Sequence, residues 1–318
     1  MVISPKQLPL VSVMITTRNR LPVLPRALQS VYAQDYPNLE ILVLDDASED
    51  STSDYIRSHH PDIHLFRFEE NRGLIVARNL LMREAKGDYI VSLDDDAYFV
   101  NCDAISNVVR RMGSEPEIGV ISFLVVQRED DVRERTVPEH YTRTFMGGAH
   151  SVRKKVIEGT GNYREFLFHQ GEEADLALRL LDKGYRILHF PEATVVHEQS
   201  PVARDLSRIT TYGARNALLR SWLSEPFPWW LLTTGNTAVK FLAFAIEHRR
   251  VHYMLKGFWA AIKALPQVTS LRRPVSSKAM RLYFALRRPI VTSAPQAQAV
   301  YQAPPSLLRS LFYPSGRL

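Results

Sequence analysis

Gly87-Asp88-Tyr89-Ile90-Val91-Ser92-Leu93-Asp94-Asp95-Asp96 is a short apolar run that stops on three carboxylates. Residues 89–93 have the length and apolar content of a strand covered on both faces. Gly87 fits the stop of a helical pattern over residues 74–86. Working outward, residues 11–16, 39–45, 64–68 and 119–123 read as further strands. Residues 24–33, 51–58 and 104–112 read as helices between them. Alternation of this kind predicts an α/β fold with an open, mostly parallel, twisted sheet flanked by helices. Such sheets bind ligands beyond the carboxyl ends of their strands. The acids sit at that edge: Asp45-Asp46 closes the second strand and Asp94-Asp95-Asp96 the fourth. Three adjacent carboxylates repel one another unless a cation or donors offset the charge. Alone, the triplet reads either as a cation site or as a solvated acidic turn. Repetition at two strand ends favours the site. Mg²⁺ and Mn²⁺ prefer oxygen ligands, and Mg²⁺ takes one or two carboxylates plus substrate phosphates.

Further along, residues 127–145 are charged and polar and read as an excursion from the core. Gly147-Gly148 marks a tight backbone site. Residues 171–183 form a helix pattern stopped by Gly184, and residues 185–189 and 193–196 read as two strands around Pro191. From residue 204 to about 265 the pattern is helical, and the last 45 residues show paired arginines, prolines and no clear period. The expected organisation is one α/β domain over residues 8–225, divided near residue 125. A helical extension follows over 226–268, then a basic, partly ordered tail over 269–318.

The chain has 318 residues and a net charge of +6, with apolar and charged fractions ordinary for a globular protein. The charge is uneven. From residue 201 onward there are 17 Lys+Arg against 3 Asp+Glu; the first 200 residues hold 23 against 31. A basic C-terminal third reads as a solvated positive face or as a surface for an anionic partner. No nucleic-acid recognition motif is present. The one cysteine, Cys102, excludes an internal disulfide and fits a reducing compartment. The apolar stretch at 8–17 runs straight into Arg18 and Arg20 and reads as a first strand, not a signal peptide. Residues 227–246 resemble a span in length, but Lys240 sits near their middle, where a charge costs about 3 kcal/mol. They read as a buried or interfacial helix. Tyr212, Arg215-Asn216, Trp222, Trp229 and Trp230 are suited either to a membrane interface or to packing extra helices on the core. A cytoplasmic location is expected, free or at the inner face of the cytoplasmic membrane.

At this point a resemblance becomes specific. Residues 11–20, VSVMITTRNR, resemble the opening strand of family 2 glycosyltransferases with the GT-A fold. Leu28-Gln29-Ser30-Val31-Tyr32-Ala33-Gln34, Val43-Leu44-Asp45-Asp46-Ala47-Ser48, Asn71-Arg72-Gly73-Leu74, Ala77-Arg78-Asn79 and the run from Gly87 to Asp96 match in order. Gly171-Glu172-Glu173-Ala174-Asp175-Leu176 with Arg179, and then His197, follow. The resemblance covers roughly residues 10–220. It implies that Thr16, Arg18 and Asp46 line the base and ribose pocket, that Arg78 lies near the diphosphate, and that Asp94 and Asp95 sit close to the ribose and metal. It implies Asp96 as the direct metal ligand and His197 as a second one. An imidazole suits Mn²⁺ better than Mg²⁺. Gly147 and Gly148 would approach the donor sugar and acceptor. Glu173, with Glu172 as its rival, corresponds to the catalytic base; the family often has Asp there. The helix dipole would favour its ionised form near neutral pH. Asp175, four residues before Arg179, reads as a helical ion pair instead. His169 and His189 have no comparable support.

The resemblance implies a metal-dependent, inverting transfer from a nucleoside-diphosphate sugar, UDP- or dTDP-linked by preference. The acceptor hydroxyl would belong to a bacterial surface glycan, a lipid-linked intermediate or a small molecule. The rivals are a nucleotidyltransferase and a non-catalytic glycan- or membrane-binding scaffold. A nucleotidyltransferase would carry a glycine-rich loop after the first strand, but residues 16–20 contain no glycine. The same absence excludes a dinucleotide fingerprint there.

Overall fold

The computed structural model describes residues 8–134, 137–198 and 206–305. It opens with β1 (Val11–Thr17), α1 (Leu24–Tyr32), β2 (Leu39–Asp46), α2 (Thr52–His59), β3 (His64–Phe68), α3 (Leu74–Glu84) and β4 (Tyr89–Asp94). β1 sets Val11, Val13 and Ile15 on one face and Ser12 and Met14 on the other, and is almost wholly buried. α1 turns Leu24, Ala27, Leu28 and Val31 inward, the i, i+3, i+4, i+7 stripe of a surface helix, with a proline in its first turn. β3, β2, β1 and β4 lie side by side and parallel, in register Thr16 with Asp94 and Thr17 with Asp45. Both acidic strand ends therefore reach one edge of the sheet.

The second half brings β5 (Ala97–Phe99), α4 (Ala104–Ser114), β6 (Ile118–Val126), α5 (Asp131–Glu134), β7 (His140–Thr142), β8 (Ala149–Arg153), α6 (Lys154–Thr160), α7 (Glu172–Asp182) and β9 (Arg186–His197). The sheet runs β10-β7-β9-β6-β8-β4-β1-β2-β3, β10 coming from the C-terminal region described below. β8 lies antiparallel to both β4 and β6, so the parallel order of the nucleotide half breaks at β8. Part of the polar excursion at 127–145 thus returns to the sheet as β7, antiparallel to β9.

One expectation is corrected here. The two strands read around Pro191 are a single strand, β9. Phe190 pairs with Phe123 and Thr194 with Leu124, so Pro191, Glu192 and Ala193 are looped out of the ladder. A proline is tolerated there because the bulge needs no N–H from it.

The C-terminal region forms α8 (Leu206–Ser224), α9 (Trp229–Glu247), α10 (Val251–Val268), α11 (Ser277–Ala285), β10 (Ile290–Val291) and α12 (Gln296–Gln302). Leu219, Leu223, Ala261 and Val268 join α8 to α10, and Ala214, Ala245 and Met254 join all three long helices. The described part of the tail packs on the core: Met280 and Leu282 of α11 are buried, and β10 extends the sheet beside β7. The indole cluster takes the packing alternative. Trp229 is buried and stacked on Phe284, and Trp222 meets Trp230 edge-on under Arg272. α9, read from residues 227–246, buries only Trp229, Thr233 and Ala245. Among the described residues no helix is long and apolar enough to cross a membrane.

Candidate active site

The acidic triplet divides its tasks through the turn that follows β4. Antiparallel pairing sets Ala97 of β5 opposite His197 of β9, and the Glu198 N–H donates to the Asp96 carbonyl at 2.9 Å. That register carries the imidazole to Asp96, with His197 Nε2 3.0 Å from Asp96 Oδ1. Arg20, on the loop after β1, lies 3.9 Å from Asp96 Oδ2. Burial raises the Asp96 pKa, but the His197 bond and charge and Arg20 outweigh it and the net shift is downward. Asp94, Asp96 and His197 each present one ligand atom, all within 4.8 Å of one another. Two carboxylate oxygens and an imidazole nitrogen at that spacing fit a divalent cation, and the nitrogen suits Mn²⁺. Asp95 is different. Burial pushes its carboxyl up to about 7, opposed by the Thr17 hydroxyl and helped by its two acidic neighbours.

Arg78 joins this triplet to the start of α7. Its guanidinium is buried in α3, donates to Asp94 Oδ1 at 2.6 Å and lies 4.0 Å from Glu173 Oε1. Burial works against its charge, yet Asp94 and the nearby Tyr163, Glu173 and Glu172 raise its pKa further. Gly147 and Gly148 pass between these groups. A Cβ on Gly148 would overlap the Asp94 carboxylate, and one on Gly147 would overlap Glu173 and Arg78. The Asp94 N–H donates to the Gly148 carbonyl at 3.0 Å and the Ser92 hydroxyl to that of Gly147 at 2.8 Å. Glycine is required at both positions by close approach, not by backbone angle.

Glu172 and Glu173 open α7 after Gly171, whose φ is +89°. The expected ionised base meets a counter-force. Burial and the neighbouring Glu172 carboxylate push Glu173 up to about 7, against the pull of Arg78 and the backbone N–H. Glu172 is also raised, first by burial, and its Oε2 is buried without a partner. The helix dipole is outweighed by desolvation here. Asp175 behaves as the sequence suggests and does more: it accepts from Arg179 at 2.9 Å, Arg164 at 3.1 Å and Ser224 at 2.7 Å.

At β2 the acids are committed to the fold. Asp46 is buried, and its two oxygens accept the backbone N–H groups of Arg72 at 2.7 Å and Gly73 at 2.9 Å. It shapes the loop that starts α3. Thr16 stands beside Asp94 in the ladder, half-buried, and Arg18 is exposed on the following loop.

With this geometry in view, the sequence matches decide the family. Residues 12–168 match the family model for glycosyl transferase family 2. The chain carries a family 2 glycosyltransferase domain. A similar protein is the uncharacterized glycosyltransferase YwdF of Bacillus subtilis, 26% identical over 72% of this chain and 88% of its own length. The pre-mycofactocin glycosyltransferase of Mycobacterium tuberculosis is 29% identical over 66% of this chain, which spans only 47% of that relative. The fold is GT-A. It is shared with a Pyrobaculum calidifontis mannosyltransferase solved with GDP-Man and Mn²⁺, at TM-score 0.56, 22% identity and 84% and 87% coverage of the two chains. It is also shared with S. aureus TarS 1-349 in complex with UDP-GlcNAc, at TM-score 0.56, 16% identity and 87% coverage of each chain.

Three residues have roles at the candidate site that sequence reading misses. Asn216 of α8, buried, donates to the carbonyls of Leu167, His169 and Gln170 at 2.6, 2.7 and 2.8 Å. It clamps the loop that delivers Glu172-Glu173, where Phe168, Gln170 and Gly171 all have positive φ. His150 of β8 is buried beside Arg78, and burial with that charge holds its pKa down to about 3. Arg20 faces Asp96. Arg20 belongs to a quoted motif, so its place was findable; Asn216 and His150 carry no spacing signal.

Proposed function

We propose that the enzyme moves a sugar, with inversion, from a nucleoside-diphosphate sugar to an acceptor hydroxyl. The observation that carries this reading is the Arg78 link. One buried guanidinium lies against both Asp94, at the candidate metal site, and Glu173, at the start of α7. A donor held at the carboxyl edge of the sheet would then have its diphosphate over Asp94 and Asp96 and its anomeric carbon near Gly147 and Gly148. Glu173 takes the proton of the attacking hydroxyl. A carboxylate titrating near neutrality is suited to that transfer. Glu172, raised and buried beside it, keeps Glu173 from ionising too readily.

Asp94, Asp96 and His197 would hold a divalent cation. When bound, the cation supplies positive charge against the departing diphosphate. Arg78 and Arg20 add fixed positive charge on the same side. Thr16, Arg18 and Asp46 line the nucleotide pocket in this reading, with Asp46 acting chiefly through the Arg72-Gly73 backbone. Asp95, between them, faces the ribose side of the donor in this reading.

UDP- or dTDP-sugars are the proposed donors. A surface glycan, a lipid-linked intermediate or a small natural product is the proposed acceptor, and the inner side of the cytoplasmic membrane the proposed location. The catalytic unit is residues 8–225, with 226–268 as a helical extension and 269–318 as a tail. A nucleoside-diphosphate release assay with UDP-, dTDP- and GDP-sugars and Mn²⁺ tests the reading. Release from one donor class, lost with chelator, is expected. No release from any donor would favour a non-catalytic binding scaffold.

A further inference from the structure

The indoles that pack the helices together leave a different apolar surface uncovered. On α9, Leu231, Leu232, Val239, Leu242 and Ile246 are exposed, Val239 by 68% and Ile246 by 61%. At about 100° per residue they fall on one side of the helix, with the buried Thr233 on the other. On α10, Leu255, Trp259 and Ile262 form a second exposed stripe, each more than half exposed. It lies opposite Met254, Gly257 and Ala261, which are buried. On α10 the buried Gly257 meets the Thr211 carbonyl of α8, so the exposed stripe faces away from that helix. A stable monomer rarely leaves stripes of large apolar side chains in water.

Charge says what covers it. Between residues 229 and 273 there are seven basic residues: Lys240, Arg249, Arg250, Lys256, Lys263, Arg272 and Arg273. Glu247 is the one acid in that stretch. Lys256 and Lys263 are exposed along one side of the Trp259 stripe, and Lys263 Nζ lies 5.3 Å from the centre of its ring. Neither helix is apolar enough to span a bilayer. An apolar face with a tryptophan, edged by lysines and too polar overall to insert across, is the pattern of a helix lying in a lipid interface.

We propose that the α9–α10 hairpin docks this enzyme on an anionic phospholipid surface. Val239, Ile246, Leu255 and Trp259 enter the headgroup–acyl boundary, and Lys256 and Lys263 meet lipid phosphates. The inference deepens the membrane-side location proposed above and is independent of the catalytic assignment, because binding is read without turnover.

The test is co-sedimentation of the full chain with vesicles of phosphatidylglycerol and phosphatidylcholine, or of phosphatidylcholine alone. Strong binding to the anionic vesicles is expected, weakened at high salt, with little on neutral ones. Each lysine near an anionic surface contributes about fivefold. Lys256→Glu/Lys263→Glu should therefore lower partitioning more than tenfold. Val239→Glu/Ile246→Glu should abolish it. Both variants alter only exposed side chains, and an unchanged melting temperature and nucleoside-diphosphate affinity would certify the fold. Absence of binding to anionic vesicles overturns the proposal. So does binding that survives Val239→Glu/Ile246→Glu. Sedimentation velocity gives the rival outcome: a wild-type dimer that this variant dissociates, without vesicle binding, would make the face a contact between two copies.

Discussion

The ends of β2 and β4 look alike as sequence, since each closes an apolar strand with adjacent aspartates at the same sheet edge. Their surroundings separate them. Asp45 is fully buried and accepts from the Ser48 N–H at 2.7 Å, the Ser53 hydroxyl and Arg67 at 2.5 Å. Asp46 closes on the Arg72 and Gly73 N–H groups. All four oxygens at β2 are thus bonded to the loops, the helix α2 and the strand β3 around them. At β4 the partners are two guanidiniums and an imidazole brought from α3, the loop after β1 and β9: Arg78, Arg20 and His197. Gly148 brings bare backbone directly against the Asp94 carboxylate, where a Cβ would overlap it. Carboxylates whose oxygens are all taken by backbone N–H groups, a hydroxyl and one arginine hold the fold together. Carboxylates gathered with an imidazole and two arginines beside closely approaching glycine backbone can serve a ligand.

The sharpest way to break this contrast is to truncate each end. Asp45→Ala strands Arg67 and removes several bonds from a buried site. It should cost about 3–5 kcal/mol of folding stability, read by urea denaturation. Asp96→Ala should leave the unfolding midpoint within about 1 kcal/mol of wild type, because Arg20 and His197 remain partly solvated. Its effect should instead fall on ligand binding, with a tenfold or greater loss of Mn²⁺-dependent nucleoside-diphosphate affinity by calorimetry. If the two variants exchanged these phenotypes, the division of labour would be wrong.

A smaller effect concerns proton balance. Glu173, raised to about 7 in the fold from its ordinary 4.5, holds a proton that the unfolded chain releases. Its contribution to stability is therefore present below about pH 4.5 and lost as pH rises through 7. Activity should run the other way. kcat/KM should climb through an apparent pKa near 7 as the base ionises. Glu172→Gln removes a neighbouring carboxylate that raises this pKa, so the midpoint should move to lower pH. A midpoint that stays or rises would separate Glu172 from the titration. Asn216→Ala offers the mildest test: kcat should fall through a looser Glu173 loop while nucleotide affinity, set by β1 and β4, holds.

How much of this was legible in the sequence follows the same divide. β1 to β4 are short, mostly apolar runs with punctuating loops, and each is found within two residues of its reading. β8 is not. Ala149-His150-Ser151-Val152-Arg153 has one β-branched residue, and it is a strand because β4 and β6 flank it on both sides. Pro191 suggested a break, whereas three bulged residues let β9 run on. Site residues were named because the motifs mark chain positions. Their partners depend on long-range register, as with His197 opposite Ala97, and no local pattern encodes that. The same limit hid Asn216, which serves a loop 46–49 residues upstream.

The most direct test of the central claim is single-turnover sugar transfer by Glu173→Gln beside its nucleoside-diphosphate affinity in Mn²⁺. The Arg78-linked centre predicts at least a hundredfold loss of transfer, the usual scale for a general base, with affinity within about twofold of wild type. Near-normal transfer by Glu173→Gln would contradict it.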